Sequence, residues 1–274
     1  MKYGIDEMKK VAKDVRKDII KMTTEAGSGH PGGSLSSVEI MVSLYFHVMN
    51  HNPKDHKWEK RDRFVLSKGH VCPVLYSTLA RSGYFPADEL VTLRKLGSRL
   101  QGHPDRKKLP YLEISCGSLG QGLSIAVGMS IGLRMDKKDQ RVYCLMGDGE
   151  CDEGQIWEAA MSGAHYNLDN LCGIVDVNGL QIDGRTKDVM SLEPLEKKWE
   201  AFGWNVIEID GHSFEQLIKA FEEANNIKGK PTVILANTVK GKGVSFMEHK
   251  AEWHGKAPTK EEAEIALKDL EAYE

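Results

Sequence analysis

A chain of 274 residues, 41% hydrophobic and 28% charged, has enough apolar material for one large globular domain, and no repeat or linker-like block divides it. A formal net charge of −3 with lysines spread along the sequence leaves no basic stripe for nucleic acid. No apolar run reaches the ~18 residues that span a bilayer. Five cysteines (Cys72, Cys116, Cys144, Cys151 and Cys172) without CxxC spacing argue against a disulfide framework or a zinc ribbon. Together with a start too charged for a secretory signal, they lead to the expectation of a reducing cytoplasm.

In chain order, Ile5, Met8, Ala12, Val15, Ile19, Met22 and Ala26 recur at steps of three and four, which predicts an amphipathic helix ending at Gly27. The stretch "GSGHPGGS" predicts a loop, and Ser36 and Ser37 then offer capping hydroxyls to an apolar helix through about residue 49. "RFVLS" reads as a short strand feeding the loop "KGH", Cys72 to Leu79 as a helix, and residues 97–118 as a long ordered loop. Regular alternation follows. A small-residue helix, "GQGLSIAVGMSIGLRM", leads to the strand "RVYCLM", the helix "EGQIWEAAMSGAHY" and the strand "LCGIVDVN". A helix around 191–202, the strand "WNVIEID", a helix around 213–226 and the strand "TVILANT" complete the pattern. Continuous apolar strands separated by helices predict an α/β fold, a doubly wound, mainly parallel sheet with helices on both faces. We expect one domain over residues 1–274, with a C-terminal extension from about 240.

Ligands of such sheets bind beyond the carboxyl ends of the strands. Asp148, in "MGDGECDEG", lies at one such end, and Asn178 at the end of the next strand. The Asp148 carboxylate, the Asn178 amide oxygen and a backbone carbonyl such as that of Leu180 form a hard oxygen set suited to Mg2+ or Ca2+, with positions left for phosphate oxygens and water. Gly147 and Gly149 leave the backbone open to a phosphate. Gly-Asp-Gly alone is a common structural turn; the spacing of Asp, helix and Asn is what singles this one out. The Gly-rich loop at His30 lacks the GxxxxGK[ST] pattern of a P-loop. His47, His51, His56, His165, His212 and His249 stand outside any motif and read as surface or packing residues.

Gly147, Asp148 and Gly149, with "ECDEGQIWEA" and "VDVNGLQIDG", resemble the thiamine diphosphate motif of transketolases. "GSGHPGGSLS" is similar to that family's substrate loop, "LSKGHVCPVLY" to its histidine loop at the cofactor diphosphate, "LQGHPD" to a second substrate loop, and "CGSLGQGLSIAVG" to the loop at the aminopyrimidine. The resemblance runs in chain order from about residue 10 to 255. It implies thiamine diphosphate and Mg2+ as cofactors, with Ca2+ or Mn2+ as substitutes. Asp148, Asn178 and Leu180 would be the metal ligands, and His70, Gly117, Ser118, Leu119, Gly149, Asn178 and His254 would face the cofactor. His30, His103 and His254 would meet the substrate. Glu153 resembles the acid at the family's subunit contact; its other reading is a helix N-terminal acid facing the macrodipole. Ser118 stands where proline is common and Cys116 where threonine is usual, both changes small enough to keep the loop.

Full-length transketolases add a pyrimidine domain, carrying the glutamate that hydrogen-bonds the aminopyrimidine, and a C-terminal domain. Nothing in this sequence resembles the pyrimidine domain. The resemblance thus implies the N-terminal subunit of a split transketolase, active only with a separate pyrimidine-domain subunit in an α2β2 assembly. Such an enzyme passes a two-carbon ketol unit from a ketose phosphate to an aldose phosphate. Other thiamine diphosphate enzymes, such as deoxyxylulose phosphate synthase or a dehydrogenase E1 subunit, share the Gly-Asp-Gly to Asn site, but the His30, His70 and His103 loops favour transketolase. A noncatalytic paralogue is the alternative of another class. Glycines 120, 122, 128 and 132 allow close backbone approach, either by a partner or within the chain.

Overall fold

Helix α1 (Ile5–Ala26) forms on the spacing that predicts it and buries Met8, Ala12, Val15, Ile19 and Met22. The Glu7 carboxylate accepts the Gly4 N–H at 2.8 Å, and Gly27 ends the helix in the left-handed region at φ 58°, where glycine carries no Cβ penalty. The computed structural model describes residues 2–273.

The Gly/Ser-rich stretch departs from the expected loop. From Pro31 it is helical, α2 (Pro31–Ser36), followed by α3 (Val38–Ser43) and a single π-type turn over Leu44–Val48. Proline suits a first helical position, where its missing N–H has no partner to lose. Nor do Ser36 and Ser37 cap a helix with their side chains. Both hydroxyls lie within reach of the Gly33 carbonyl, at 2.9 Å, and of the buried Asp176 carboxylate.

The remaining strands are β1 (Arg63–Leu66), β2 (Val142–Gly147), β3 (Leu171–Val177), the two-residue β4 (Leu180–Gln181) and β5 (Gly184–Arg185), β6 (Asn205–Asp210) and β7 (Thr232–Asn237). The helices between and after them are α4 (Cys72–Arg81), α5 (Gln121–Met135), α6 (Gly154–His165), α7 (Thr186–Val189), α8 (Leu195–Ala201), α9 (Phe214–Asn226) and α10 (Lys260–Ala272). Residues 97–118 hold no helix or strand, as the sequence predicts. β4, β5, α7 and α10 are additions to the sequence reading. Helix α10 begins in a capping box, with Thr259 Oγ1 accepting the Glu262 N–H at 3.1 Å and Glu262 accepting that of Thr259 at 2.8 Å.

The main sheet runs β1-β2-β3-β7-β6 with every neighbouring pair parallel, while β4 and β5 form a separate antiparallel hairpin. Its side chains alternate with period two. Phe64, Leu66, Tyr143, Leu145 and Ile174 pack into one apolar layer with α1, α3, α4 and α9; Val65, Cys144, Met146 and Val175 pack into the other with α5, α6 and α8. Helices on both faces of a parallel sheet are the expected architecture. Among the described residues no helix is long and apolar enough to cross a membrane.

Helix α5 crosses the end of β1 closely. A methyl on Gly122 would stand 2.4 Å from the Ser67 Cβ and 2.6 Å from its Cα, whereas one on Gly128 meets nothing within 4 Å. Gly122→Ala should lower stability by about 1–3 kcal/mol, read as a drop in the urea midpoint. Gly128→Ala, helical and unobstructed, should leave the midpoint equal or higher.

Candidate functional site

Strands β1, β2, β3 and β7 all end at one edge of the sheet, and Lys68, Asp148, Asn178 and Lys240, just past those ends, line a common cavity of about 350 Å3. Beneath it lies Asp176 of β3, with no exposure to solvent. Its carboxylate pairs with the Lys68 ammonium and accepts from the hydroxyls of Ser36, Ser37 and Thr238 and from the Asn178 amide at 3.3 Å. Burial pushes this carboxyl up, but Lys68 and the hydroxyls outweigh it and hold it below its ordinary value.

The register pairs Gly147 with Asp176, so Asp148 leaves β2 beside the end of β3. Asp148 is 3% exposed; Oδ1 accepts the Gly149 N–H at 2.9 Å and Oδ2 that of Gly179 at 2.7 Å. Burial, reinforced by the Asp176 charge, still pushes its carboxyl up to about 6. Asn178 Oδ1 accepts the Leu180 N–H at 3.1 Å, and the Leu180 carbonyl accepts from Lys240 Nζ at 3.1 Å. Lys240 is 2% exposed, and burial lowers its amine to about 8 against the pull of Asp148 and Asp176. No group of three His, Cys, Asp or Glu side chains among the described residues could hold a metal ion. A cation here would rest on the mixed oxygens of Asp148, Asn178 and Leu180, which fit a hard divalent ion rather than a soft one.

Two imidazoles, His70 and His254, also line the cavity, and two more extend the cluster. His70 stacks on His254 at 5.0 Å between ring centroids, His30 stands edge-on to both at 5.1 and 5.5 Å, and His103 lies 6.4 Å from His30. Burial, helped by neighbouring cations and histidines, lowers His30 to about 4, His254 to about 3 and His70 to about 2, and lowers the more open His103 as well. All are neutral near pH 7. Lys240 Nζ donates to His254 Nδ1 at 3.1 Å, while His30 Nδ1 is buried without a partner.

Of the sequence candidates, Asp148, Gly149, Asn178, Leu180, His70, His254, Leu119 and Glu153 line the cavity. His30 and His103 adjoin it through the imidazole cluster. Gly117 and Ser118 are exposed on the approach loop and do not line it; that loop is anchored beyond Leu119, where the Gly120 N–H donates to Glu150 Oε1 at 2.9 Å. Gly149 serves close packing as well as access, because a Cβ there would lie 2.9 Å from the Gln181 Cβ. Glu153 is exposed at the start of α6 and makes no side-chain cap. Sequence reasoning misses Lys68, Asp176 and Lys240. A signal for two of them was present, since Lys68 stands two residues before His70, and Asp176 two before Asn178 in an extended segment whose alternate residues share a face.

Residues 7–271 match the family model described as transketolase, thiamine diphosphate binding domain. The chain belongs to the transketolase family. It is 47% identical over 257 residues to the 6-deoxy-6-sulfo-D-fructose transketolase subunit of Clostridium sp. (strain MSTE9), covering 94% of each chain. To an apulose-4-phosphate transketolase subunit of Phocaeicola vulgatus it is 46% identical over 255 residues, covering 93% of this chain and 90% of that one. Human transketolase is 44% identical over 267 residues, which are 97% of this chain and 42% of the human one. The crystal structure of Campylobacter jejuni transketolase superposes with a TM-score of 0.93 at 34% identity, over 98% of this chain and 43% of that one. This chain is thus a transketolase thiamine diphosphate-binding domain, and it spans less than half the length of those two transketolases.

In this transketolase domain the unfolded His70 imidazole takes up a proton near pH 6.5, and the folded one resists until about 2. Below pH 6.5 the unfolded state therefore binds the extra proton, and stability falls by about 1 kcal/mol per pH unit on this account. Urea midpoints between about pH 7 and 5 should fall less steeply for His70→Gln than for the parent; parallel slopes would contradict a buried neutral imidazole.

Proposed function

We propose that this chain is the cofactor-diphosphate half of a split transketolase, which passes a two-carbon ketol unit from a ketose phosphate to an aldose phosphate using thiamine diphosphate and Mg2+. The observation that carries the reading is the oxygen set of Asp148, Asn178 and Leu180 lining one cavity with the His70–His254 stack. The names of the two relatives aligned over 94% and 90% of their lengths, both transketolase subunits, support a separate partner. Those relatives are named for different sugars, so they support the reaction class rather than one substrate.

In this reading Asp148, Asn178 and the Leu180 carbonyl hold the cation, and Lys240 and His70 face the diphosphate. Thiamine diphosphate, when bound, supplies the electron sink for breaking the ketose carbon–carbon bond. His30 and His254, near 4 and 3, are too weak as bases to draw a hydroxyl proton unaided, so their part is to orient sugar hydroxyls by hydrogen bonding. His103, the more open ring, is better placed to exchange a proton with the substrate.

The partner's seat in this reading is the face of α5 and α6. Ile125, Met135 and Met161 are 37%, 77% and 58% exposed, and Gly128 and Gly132 have open space above them. Gly120 and Gly122, by contrast, pack within the chain against Glu153 and Ser67. With Glu153 at the start of α6, this face is our choice for the contacts of an α2β2 assembly.

A coupled assay with xylulose 5-phosphate and ribose 5-phosphate should show turnover only when the chain is mixed with a pyrimidine-domain subunit. Robust turnover by the purified single chain would overturn the half-site reading. In the mixture, Asp148→Ala should weaken Mg2+-dependent thiamine diphosphate binding by more than about tenfold, the scale of losing a ligand or its support. Unchanged affinity would remove Asp148 from the metal site.

A further inference from the structure

His212 belongs to no recognised motif and does not line the cavity, yet it holds the segment that does. It follows β6 in the turn Asp210-Gly211-His212-Ser213. Its Nε2 accepts the Val239 N–H at 2.9 Å, and its Nδ1 lies 2.9 Å from Glu39 Oε2. Both bonds exist together only if Nδ1 carries a proton and donates it while Nε2 offers its lone pair. Glu39, 4% exposed, is gripped at 2.7 and 2.9 Å by Arg16, itself 1% exposed. Burial pushes the Glu39 carboxyl up, but Arg16 and His212 bring it down to about 2, so the acceptor stays ionised at neutral pH.

The same cluster grips the segment again three residues on, where Arg16 Nε donates to the Lys242 carbonyl at 3.2 Å. Between these two ties, Lys240 points the other way, to the Leu180 carbonyl and His254 Nδ1, each at 3.1 Å. Gly211 adds a steric constraint. A Cβ there would lie 2.5 Å from the Thr238 Cγ2, so the turn rests directly on the residue whose hydroxyl reaches Asp176.

We propose that His212 is a positioning residue, which through the Val239 N–H sets the backbone from which Lys240 reaches the cavity and fixes the His254 ring and the Leu180 carbonyl. The affinity readout below rests on the cofactor-site reading; the backbone readout does not. A glutamine amide oxygen can occupy the place of Nε2, and an asparagine amide nitrogen that of Nδ1. His212→Gln therefore keeps the bond to Val239, while His212→Asn keeps only the bond to Glu39. Filling the core alone would not separate the two.

Hydrogen exchange of the full chain should show amides 239–241 exchanging at least about tenfold faster in His212→Asn than in the parent, as for an opened backbone hydrogen bond. Calorimetry with thiamine diphosphate and Mg2+, on the chain mixed with its pyrimidine-domain subunit, should show the same variant binding about three- to tenfold more weakly, the scale of one hydrogen bond. His212→Gln should stay within about twofold of the parent in both measurements. Equal behaviour of the two variants, or a silent His212→Asn, would overturn the proposal. If even the parent fails to bind thiamine diphosphate in that mixture, the cofactor reading falls, and the exchange contrast still decides the role of His212. Should neither variant fold, the uniformly 15N-labelled parent supplies the test. A scalar coupling between the Val239 amide nitrogen and His212 Nε2, with imidazole shifts of the Nδ1–H form, is expected; no coupling together with the opposite tautomer would overturn the assignment.

Discussion

The Lys68 ammonium and the Asp176 carboxylate are both withdrawn from water, at 2% and 0% exposure, and removing two charges from water costs several kcal/mol each before any attraction is counted. The cost is offset because the carboxylate is saturated by further donors from Ser36, Ser37, Thr238 and Asn178. Those donors come from the α2–α3 junction, the exit of β7 and the exit of β3, and Lys68 from the exit of β1. One carboxylate therefore fixes the relative heights of three strand ends and a helical turn. Loss of either member of the pair would leave the other buried and uncompensated, a defect of about 3–5 kcal/mol.

Above this pair the ionisable groups are shifted toward their neutral forms. Asp148 is raised to about 6, Lys240 lowered to about 8, and His30, His70 and His254 lowered to about 4, 2 and 3. Each shift has burial as its first cause, so a ligand of opposite charge would favour the ionised forms. A divalent cation beside Asp148 and an anionic group beside Lys240 would do so together. That complementarity is the physical content of the proposed metal diphosphate site.

Local patterns made much of this legible in the sequence. The three- and four-residue steps from Ile5 to Ala26, the apolar runs of β2, β3 and β7, and the turn at Asp148 are short-range signals that the fold preserves. The Gly-rich loop misled because glycine disfavours helix on average, whereas here Gly32 and Gly33 are buried where a Cβ would meet Trp253 or Val71 within 3 Å. Lys68, Asp176 and Lys240 were hidden for another reason. The Lys68–Asp176, Thr238–Asp176 and Lys240–Leu180 contacts span more than 50 residues, so proximity to His70 and Asn178 marks two of these residues but does not show that three strand ends will meet. Helix α10 does carry a local start signal, Thr259 followed three residues later by Glu262.

The exposed methionines of α5 and α6 have a chemical consequence apart from packing. The five cysteines are free thiols and four of them are buried; burial pushes Cys72, Cys116 and Cys172 up to about 12 and raises Cys144 and Cys151 as well. The thiolate is the reactive form, so these sulfurs behave as small apolar groups and resist oxidation. Met135 and Met161 have no such protection, at 77% and 58% exposure. Conversion of their thioethers to sulfoxides would place polar, hydrated groups on the face proposed for the partner subunit. In the proposed assembly, oxidation of these two side chains would weaken the subunit contact without touching the buried core.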